Sequence, residues 1–552
     1  MSLRKLVLTL SVGLLLAMTA SAQQQPTQTD TQSTTEAQPA VQPSSAPENT
    51  APAAGSQENT AQSAPAPDSA PQESAAPEGT QKHGTDPFDV LVYRPLWALT
   101  RVVGDFNPIG KGIASPLEQR FRGLRVKGFI DNITQINTTG DDHSAGLAGR
   151  DKDWRAQKQE ERIQLELRYQ ATEHLEFVSV NNYYWDGAYA LSGGNGLYNS
   201  GAGSQVSYTQ GKRIFREAYL RGNYGWLNFT LGKQVINWGK MDGKVVDIVN
   251  AADGRDVVDF HAGDYEWQAI GQWMANVGFR PTGTTTINLV WNPDFQPNRG
   301  PAAGSPWWYP FAVSAPAGTQ GYAEDRPSGF QNLRQSEGGF RIDNTFGALT
   351  LSGIYYYGYD RDPVLFSSDD VYHYERLHKA GYALDYGTHL GKQRLIIRSE
   401  GLFTGDKAYQ VSDPTLSNGL LKKDLLTLAW AFETSFGSAA NRVNVMYQPS
   451  VTHQFDYEAR TGAAQNNLLH VIDISHSVRA TSDKLGVDFT FYVNGGGGTY
   501  GGWAATYAGT WQFNDYVKAK LAYNDYQGGK WDIPWGAYRQ WRNVTLDLKY
   551  EF

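Results

Sequence analysis

Cysteine is absent from the 552-residue chain, which excludes disulfide frameworks, cysteine-ligated zinc and iron–sulfur sites, and a thiol nucleophile. An excess of positive charge is also lacking, since the net charge is −8 and the pI is about 5.7, and this argues against a nucleic-acid partner. After the first 22 residues there is no apolar run long enough for a membrane-spanning helix. A transmembrane β-barrel stays open, because its strands alternate apolar and polar residues and average out as polar.

The N-terminus has the pattern of a secretory signal peptide. Arg4 and Lys5 precede an apolar stretch over 6–18, and Ala20-Ser21-Ala22 forms a small-residue cleavage site. We therefore expect residues 1–22 to be removed and the mature chain to be exported.

Residues 23–85 contain no Phe, Trp or Tyr and consist mainly of Gln, Pro, Ala, Ser, Thr, Glu and Asn. Such a composition buries too little surface to offset the entropy of ordering, which predicts a disordered periplasmic linker. It would serve as a tether, as an arm that binds a partner, or as an inert spacer.

The next segment, residues 86–120, is more apolar. Pro95 suits the first turn of a helix, and Leu96, Leu99, Val102 and Val103 share one helical face. We expect a short helix that plugs the barrel mouth. An amphipathic helix at the membrane interface has nearly the same pattern.

From residue 121 the apolar residues recur with period two. In one segment Ile163, Leu165, Leu167 and Tyr169 alternate with polar residues, and similar segments occur to the end of the chain. We count eighteen candidate strands, and the gaps between them are alternately long and short. This predicts that residues 121–552 form an all-β, transmembrane antiparallel β-barrel of about eighteen strands in the cell outer membrane, with both termini in the periplasm.

The last strand ends in an aromatic residue, Phe552. A terminal aromatic that closes an alternating strand resembles the signal by which the barrel-assembly machinery recognises outer-membrane proteins. That machinery and outer-membrane lipid are the partners this resemblance implies.

A barrel of this size encloses an aqueous lumen, so its inward residues determine what it does. Continuing the alternation predicts these pore-lining residues: Arg125, Lys127, Arg162, Glu166, Arg168, Glu217, Arg221, Arg341, Asp343, Arg394, Arg398, Glu400, Asp473 and Arg479. They form either a solvated wall of mutual ion pairs or a selectivity ladder for an anion. The ladder would use Arg162, Arg168, Arg394 and Arg398.

Two long gaps have unusual compositions. The gap over 238–266 is dense in charge, and the predicted constriction-loop residues in it are Lys240, Asp242, Lys244, Asp247, Asp253, Arg255 and Asp256. Their spacing matches no calcium loop, so we expect a self-paired loop that folds inward and narrows the pore, without a bound metal. The gap over 293–334 carries an aromatic loop with Trp307, Trp308, Tyr309 and Phe311, which would cover a ligand or pack against other loops.

Catalytic motifs are missing from the sequence. There is no H-E-x-x-H pattern and no G-x-S-x-G elbow. Ser475 and His476 are adjacent, and adjacent strand residues face opposite sides. We expect neither enzyme activity nor a cofactor.

One stretch resembles a known family. Residues Arg216-Glu217-Ala218-Tyr219-Leu220 are followed by Gly232-Lys233-Gln234-Val235-Ile236-Asn237-Trp238-Gly239, with Asp247-Ile248-Val249-Asn250 and Asp253 after it. This resembles an uncharacterised family of Gram-negative porin-like outer-membrane β-barrel proteins with a G-[K/R]-Q-x-x-x-W-G core and a nearby I-N-P-x-D stretch. Ala251 stands here where the family tends to have Pro. The resemblance implies a barrel and a transport role, and it supplies no substrate and no catalytic residues.

The sequence thus predicts a channel for passive passage of small solutes through a charged, loop-constricted lumen. A dedicated transporter for apolar compounds and a barrel sleeve around a partner protein are the alternatives. A constricted polar eyelet, a greasy occluded path or an open wide bore would distinguish them. The sequence indicates neither the substrate nor the oligomeric state.

Overall fold

The structure is a computed structural model. It describes residues 94–138, 156–187, 214–241, 245–254, 268–300, 323–411, 413, 415–438, 441–478, 481–495, 500–529 and 532–552. The predicted signal peptide and the predicted linker lie outside these residues.

Within the described residues, eighteen long strands form one antiparallel sheet. The first nine are β1 (Leu124–Asn137), β2 (Ala156–Gln170), β3 (Leu175–Asp186), β4 (Phe215–Asn223), β5 (Leu227–Gln234), β6 (Gln272–Phe279), β7 (Thr285–Asn292), β8 (Glu337–Phe346) and β9 (Leu349–Tyr359). The other nine are β10 (Arg376–Leu390), β11 (Gln393–Gln410), β12 (Leu420–Ser438), β13 (Asn441–Gln454), β14 (Asn466–Val478), β15 (Leu485–Gly495), β16 (Trp503–Gln512), β17 (Val517–Gln527) and β18 (Asn543–Glu551).

The sheet closes because β18 pairs with β1. Their register runs from Phe129 opposite Glu551 to Asn137 opposite Asn543. One further pair of backbone hydrogen bonds joins Gly128 to Phe552, at 3.0 and 2.9 Å. A closed sheet has no unpaired edge, so the prediction of an eighteen-stranded all-β barrel is confirmed.

Cross-strand partners share a face, so the register carries one face around the whole barrel. In β11, for example, Arg398 lies opposite Asp385 in β10 and Ala431 in β12. We call this face, which also carries Glu400, the inner face, because loop segments pack against it. The opposite face is apolar and exposed at residues such as Tyr507, Leu521 and Leu548.

The connections alternate in length, as the sequence predicts. Residues 171–174, 224–226, 280–284, 347–348, 391–392 and 513–516 are short connections at one end, the short-turn end. Residues 235–271, 293–336, 360–375, 411–419, 455–465, 496–502 and 528–542 are longer connections at the other end, the long-loop end. The long connections contain paired two-residue strands at Ala251–Ala252 with Ala269–Ile270, at Glu324–Asp325 with Tyr372–His373 and Val364–Leu365, and at Tyr500–Gly501 with Ile533–Pro534. Their 3₁₀ turns are Leu333–Gln335, Ser417–Gly419, Ala459–Thr461 and Gly536–Trp541.

Helical structure precedes β1 in the described chain: helix α1 (Arg94–Val103), a π-helical turn (Gly110–Ala114) and helix α2 (Ser115–Arg120). The predicted helix is therefore present at Arg94–Val103. Trp97 stacks edge-on against Trp511 with ring centroids 5.8 Å apart, and the indole nitrogen of Trp511 donates to Thr100 Oγ1 at 2.9 Å. Among the described residues, no helix is long and apolar enough to cross a membrane.

These contacts favour the helix at the membrane interface over the plug. Trp511 lies opposite Ala519 in β17, which lies opposite Leu548 in β18, and this row belongs to the outer face. The side chain that holds α1 therefore points away from the bore. The helix lies outside the barrel at the short-turn end, where Trp97 and Thr100 contact Trp511.

Candidate functional site inside the barrel

The connection after β5 turns inward and runs along the inner face. We call its described residues, 235–241 and 245–254, the first inner segment. Its buried apolar side chains pack against Met274, Val290, Ile354, Tyr356, Ala383, Ala429 and Ala431, which belong to strands from β6 to β12. A segment that touches this many strands from one side lies across the concave interior of the barrel.

Charged wall residues hold the backbone of the first inner segment. In β11, Glu400 is buried and accepts hydrogen bonds from the backbone nitrogens of Lys240 and Met241, at 2.7 and 3.2 Å. In β8, Arg341 donates to the carbonyl of Trp238 and to Ser352 Oγ, the latter at 3.0 Å. A charged partner makes a stronger hydrogen bond than a neutral one, so these groups fix the segment's position.

Further hydrogen bonds join parts of the first inner segment to each other and to the long connections. Asp247 Oδ1 accepts from the backbone nitrogens of Trp238 and Gly239, both at 2.6 Å. Arg361 donates to the carbonyl of Val249 at 2.8 Å, and Arg299 pairs with Asp253 at 2.6 Å. The backbone of this irregular stretch is therefore well supplied with partners, as a buried loop requires.

The G-K-Q-x-x-x-W-G core has a structural explanation at these positions. Gly232 has φ +131°, and a Cβ there would lie 2.4 Å from the carbonyl oxygen of Ala218. Trp238 is buried and packs edge-on against Tyr356, with ring centroids 6.1 Å apart. A Cβ on Gly239 would lie 3.2 Å from the Asp247 carboxyl carbon and 3.3 Å from Glu400 Oε2. The motif thus fits the end of β5 and the start of the first inner segment.

A cavity of about 380 Å³ lies between the first inner segment and the wall. Its lining includes the charged residues Glu217, Arg221, Lys240, Arg341 and Asp343 together with Trp238. Both signs of charge therefore face the same space.

The register places the described pore-lining candidates on the inner face: Arg125, Lys127, Arg162, Glu166, Arg168, Glu217, Arg221, Arg341, Asp343, Arg394, Arg398, Glu400 and Asp473. Arg479 lies outside the described residues. That these side chains line a path for solutes stays a prediction.

Carboxylates match most of the proposed arginine ladder. Arg162 pairs with Glu160, Arg168 with Glu166, and Arg398 with both Asp385 and Glu433. On the neighbouring wall Arg341 pairs with Asp343 at 2.7 Å. These pairs favour the wall of mutual ion pairs over a one-sign ladder.

Of the constriction-loop candidates, Lys240, Asp247 and Asp253 belong to the first inner segment, and Lys240 also pairs with Asp385 in β10. Asp242, Lys244, Arg255 and Asp256 lie outside the described residues. So do Trp307, Trp308, Tyr309 and Phe311 of the predicted aromatic loop. Among the described residues, no three His, Asp or Glu side chains are grouped to hold a metal ion.

A second inner segment, residues 532–542, was missed by the sequence reasoning. Its buried Trp535, Ala537, Tyr538 and Trp541 pack with Leu469, Val471, Tyr492, Ala504 and Tyr526 on the inner face of β14 to β17. The ring centroids of Trp535 and Tyr492 are 5.6 Å apart. The signal was present, because a connection with this many aromatic residues is too apolar for an exposed loop.

Solved outer-membrane barrels are similar to this chain over 78% of its length. OccK9 (OpdG) of Pseudomonas aeruginosa has 9% identity, 97% of its own chain covered and a TM-score of 0.45. A BenF-like porin from Pseudomonas fluorescens Pf-5 has 9% identity, 99% coverage and a TM-score of 0.46. OccK2 (OpdF) of Pseudomonas aeruginosa, solved in complex with glucuronate, has 9% identity, 98% coverage and a TM-score of 0.46. Such low identities and TM-scores transfer no function to this chain.

No curated protein matches the chain. The family described as "protein of unknown function (DUF1302)" does match, over residues 5–421, and since this is most of the chain, the protein belongs to that family.

Proposed function

We propose that the protein is a porin-like channel of the outer membrane that passes small solutes by diffusion. The first inner segment carries the proposal, because a connection held across the inside of a closed barrel narrows the bore without filling it with a domain. An apolar outer face and a charged inner face are what a membrane-spanning barrel with an aqueous lumen needs. The short connections would then face the periplasm.

The paired charges of the inner face bear on selectivity. Lumen charges tune which ions pass, and a wall whose arginines sit beside carboxylates presents little net potential of one sign. We therefore propose weak ion selectivity and passage of polar or modestly charged solutes. No step in this function makes or breaks a covalent bond.

The two alternatives have less support. A sleeve around a partner protein needs an unobstructed bore, and the first inner segment occupies part of it. A transporter for apolar compounds needs apolar side chains that line a path, whereas Trp535, Tyr538 and Trp541 are at most 3% exposed and pack on the wall.

Recording from the purified full chain in planar lipid bilayers tests the proposal. We expect discrete, stable conductance steps and a reversal potential close to zero in a potassium chloride gradient. The control is a form that lacks the first inner segment, with folding of both proteins checked by their heat-modifiable mobility in gels. No current from either form, with both barrels folded, would contradict a channel.

A further inference from the structure

The segment between α1 and β1 is fastened to the outside of the barrel. Asn514, in a short turn, donates to the carbonyl of Gly104 at 2.6 Å. The ring centroids of Phe106 and Tyr550 are 5.7 Å apart. Tyr550 lies opposite Ile130 and Val517, which puts it on the outer face like Trp511. The segment therefore runs along the outer rim at the short-turn end.

A buried asparagine organises the turn after α1. Asn107 Oδ1 accepts from the Tyr550 hydroxyl at 2.8 Å and from the backbone nitrogen of Gly110 at 2.9 Å. The same hydroxyl accepts from the backbone nitrogen of Ile109 at 3.0 Å. The path of the chain around the rim is thus fixed by specific hydrogen bonds as well as by ring contacts.

The segment also covers the place where the barrel closes. The pairing of β18 with β1 ends at Gly128 and Phe552, so Val126 lies beyond it. The Glu118 carboxylate of α2 accepts a hydrogen bond from the backbone nitrogen of Val126 at 2.7 Å. A side chain therefore serves a strand edge that β18 does not reach, which holds α2 against the seam.

This fastened segment leaves apolar side chains uncovered. Leu99, Val102 and Ile113 are 41%, 47% and 55% exposed, and Leu117 and Phe121 are exposed as well. They continue the exposed apolar surface of the outer face, where Leu548 in β18 is 46% exposed. Apolar surface that adjoins a lipid-facing wall is suited to lipid, not to water.

Basic residues are interspersed with these apolar ones. Over residues 94–122 there are five Arg or Lys residues (Arg94, Arg101, Lys111, Arg120 and Arg122) and two acidic residues, Asp105 and Glu118, whereas the whole chain has a net charge of −8. An amphipathic segment with basic side chains binds the surface of an anionic membrane.

We propose that residues 94–122 form a lipid-binding collar that holds anionic phospholipid headgroups at the rim of the barrel and embeds Leu99, Val102, Ile113 and Leu117 among the acyl chains. The collar occupies the periplasmic leaflet, since it lies at the short-turn end. The proposal rests on the proposed membrane location and does not depend on conduction through the bore.

Lipid preference is tested by native mass spectrometry of the full chain released from vesicles of phosphatidylcholine mixed with phosphatidylglycerol. We expect retention of phosphatidylglycerol, lowered on the order of tenfold in the double variant Arg101→Gln/Lys111→Gln. The matched control is Arg280→Gln/Lys392→Gln, which removes the same charge from exposed residues in short connections elsewhere on the rim. Equal losses in the two variants, or no preference for phosphatidylglycerol, would overturn the headgroup site.

Depth in the membrane is tested separately, with an environment-sensitive fluorophore on a single introduced cysteine, which is unique because the chain has none. In vesicles we expect a blue shift at Leu99→Cys relative to Gln119→Cys. If the label at position 99 is as exposed to water as the one at 119, in a barrel whose heat-modifiable mobility shows that it is folded, the embedding is overturned. A folded barrel that conducts no current but passes both tests would refute the proposed channel and leave the collar standing.

Discussion

The two inner segments lie against the same face of the barrel and are held there by different forces. The backbone of the first, 235–241 and 245–254, donates hydrogen bonds to Glu400 and accepts one from Arg341, with apolar packing around them. The second, 532–542, is held mainly by aromatic packing of Trp535, Tyr538 and Trp541. The first segment can therefore be released by removing one charge, and the second only by removing bulk.

Removal of the first inner segment should have the largest effect. Replacing residues 236–250 by a short Gly/Ser linker removes the stretch that packs across the inner face of β6 to β12. Single-channel conductance in planar bilayers should therefore rise clearly. Replacing 532–541 in the same way should raise conductance less, because that segment packs on fewer strands, β14 to β17. Equal conductance of the wild type and the first deletion would mean that the segment does not constrict the bore.

Glu400→Ala should release the first inner segment without removing it. The backbone nitrogens of Lys240 and Met241 would lose a buried acceptor, at a cost of about 1–3 kcal/mol for each unsatisfied group. We expect current that fluctuates between the wild-type level and that of the deletion.

Asp473→Ala is the matched control for Glu400→Ala, since Asp473 is also on the inner face and is bonded to Thr490, away from the segment. Steady wild-type current in Glu400→Ala, with fluctuation only in Asp473→Ala, would contradict the role given to Glu400.

The comparison also explains what the sequence could predict. Alternation with period two determines which face of a strand each residue occupies, so the barrel and the inner-face position of Glu400 and Arg341 followed from the sequence. Where a connection folds does not follow from alternation. The mixed charges of the first inner segment predicted that it folds against a polar wall. The aromatic residues of the second segment were a comparable signal for burial, which alternation does not contain.

The position of α1 could not be predicted from the amphipathic sequence pattern alone. Leu96, Leu99, Val102 and Val103 give the same amphipathic face whether the helix plugs the mouth or lies at the membrane interface. What decides is Trp511, a residue far along the chain whose indole packs on Trp97 and donates to Thr100. Tertiary partners of this kind are not visible in a local pattern.

Trp535→Ala should have a smaller effect on the current and a clear one on stability. A large-to-small change at a fully buried aromatic residue costs about 3–5 kcal/mol, and here that cost falls on the packing of the second inner segment against Tyr492. Urea-induced unfolding, followed by heat-modifiable mobility, should shift to a lower urea concentration. Limited proteolysis should cleave Trp535→Ala within 528–542 more readily than the wild type. The control is Phe513→Ala, which removes a buried aromatic residue from a short turn and should leave that cleavage unchanged. The same cleavage in Trp535→Ala and wild type would mean that the tryptophan does not hold the segment.

The smallest effect is expected at the long-loop end, where ion pairs join two connections. Arg460 bonds to Asp413 at 2.7 Å and to Glu458 at 2.6 Å, and Lys423 bonds to Glu458 at 2.7 Å. Hydrogen bonds from Thr415 are the main cause that lowers the pKa of Asp413, and the bond from Lys423 is the main cause that lowers the pKa of Glu458.

Both carboxylates have a lower pKa in the folded protein than in the unfolded chain, so the stabilisation from their ionised forms is present above the ordinary carboxyl pKa of about 4 and is lost as the pH falls through the lowered values. A spin label at Ser417→Cys, on the connection that contains Asp413, should become more mobile over that acidic range and not between pH 5 and 7. In Arg460→Gln the label should be more mobile already at pH 7 and should change less on acidification, because one cationic partner is gone. The difference should be small, since exposed ion pairs contribute little. A label whose mobility follows the same pH curve with and without Arg460 would mean that the two connections are held by the strands alone.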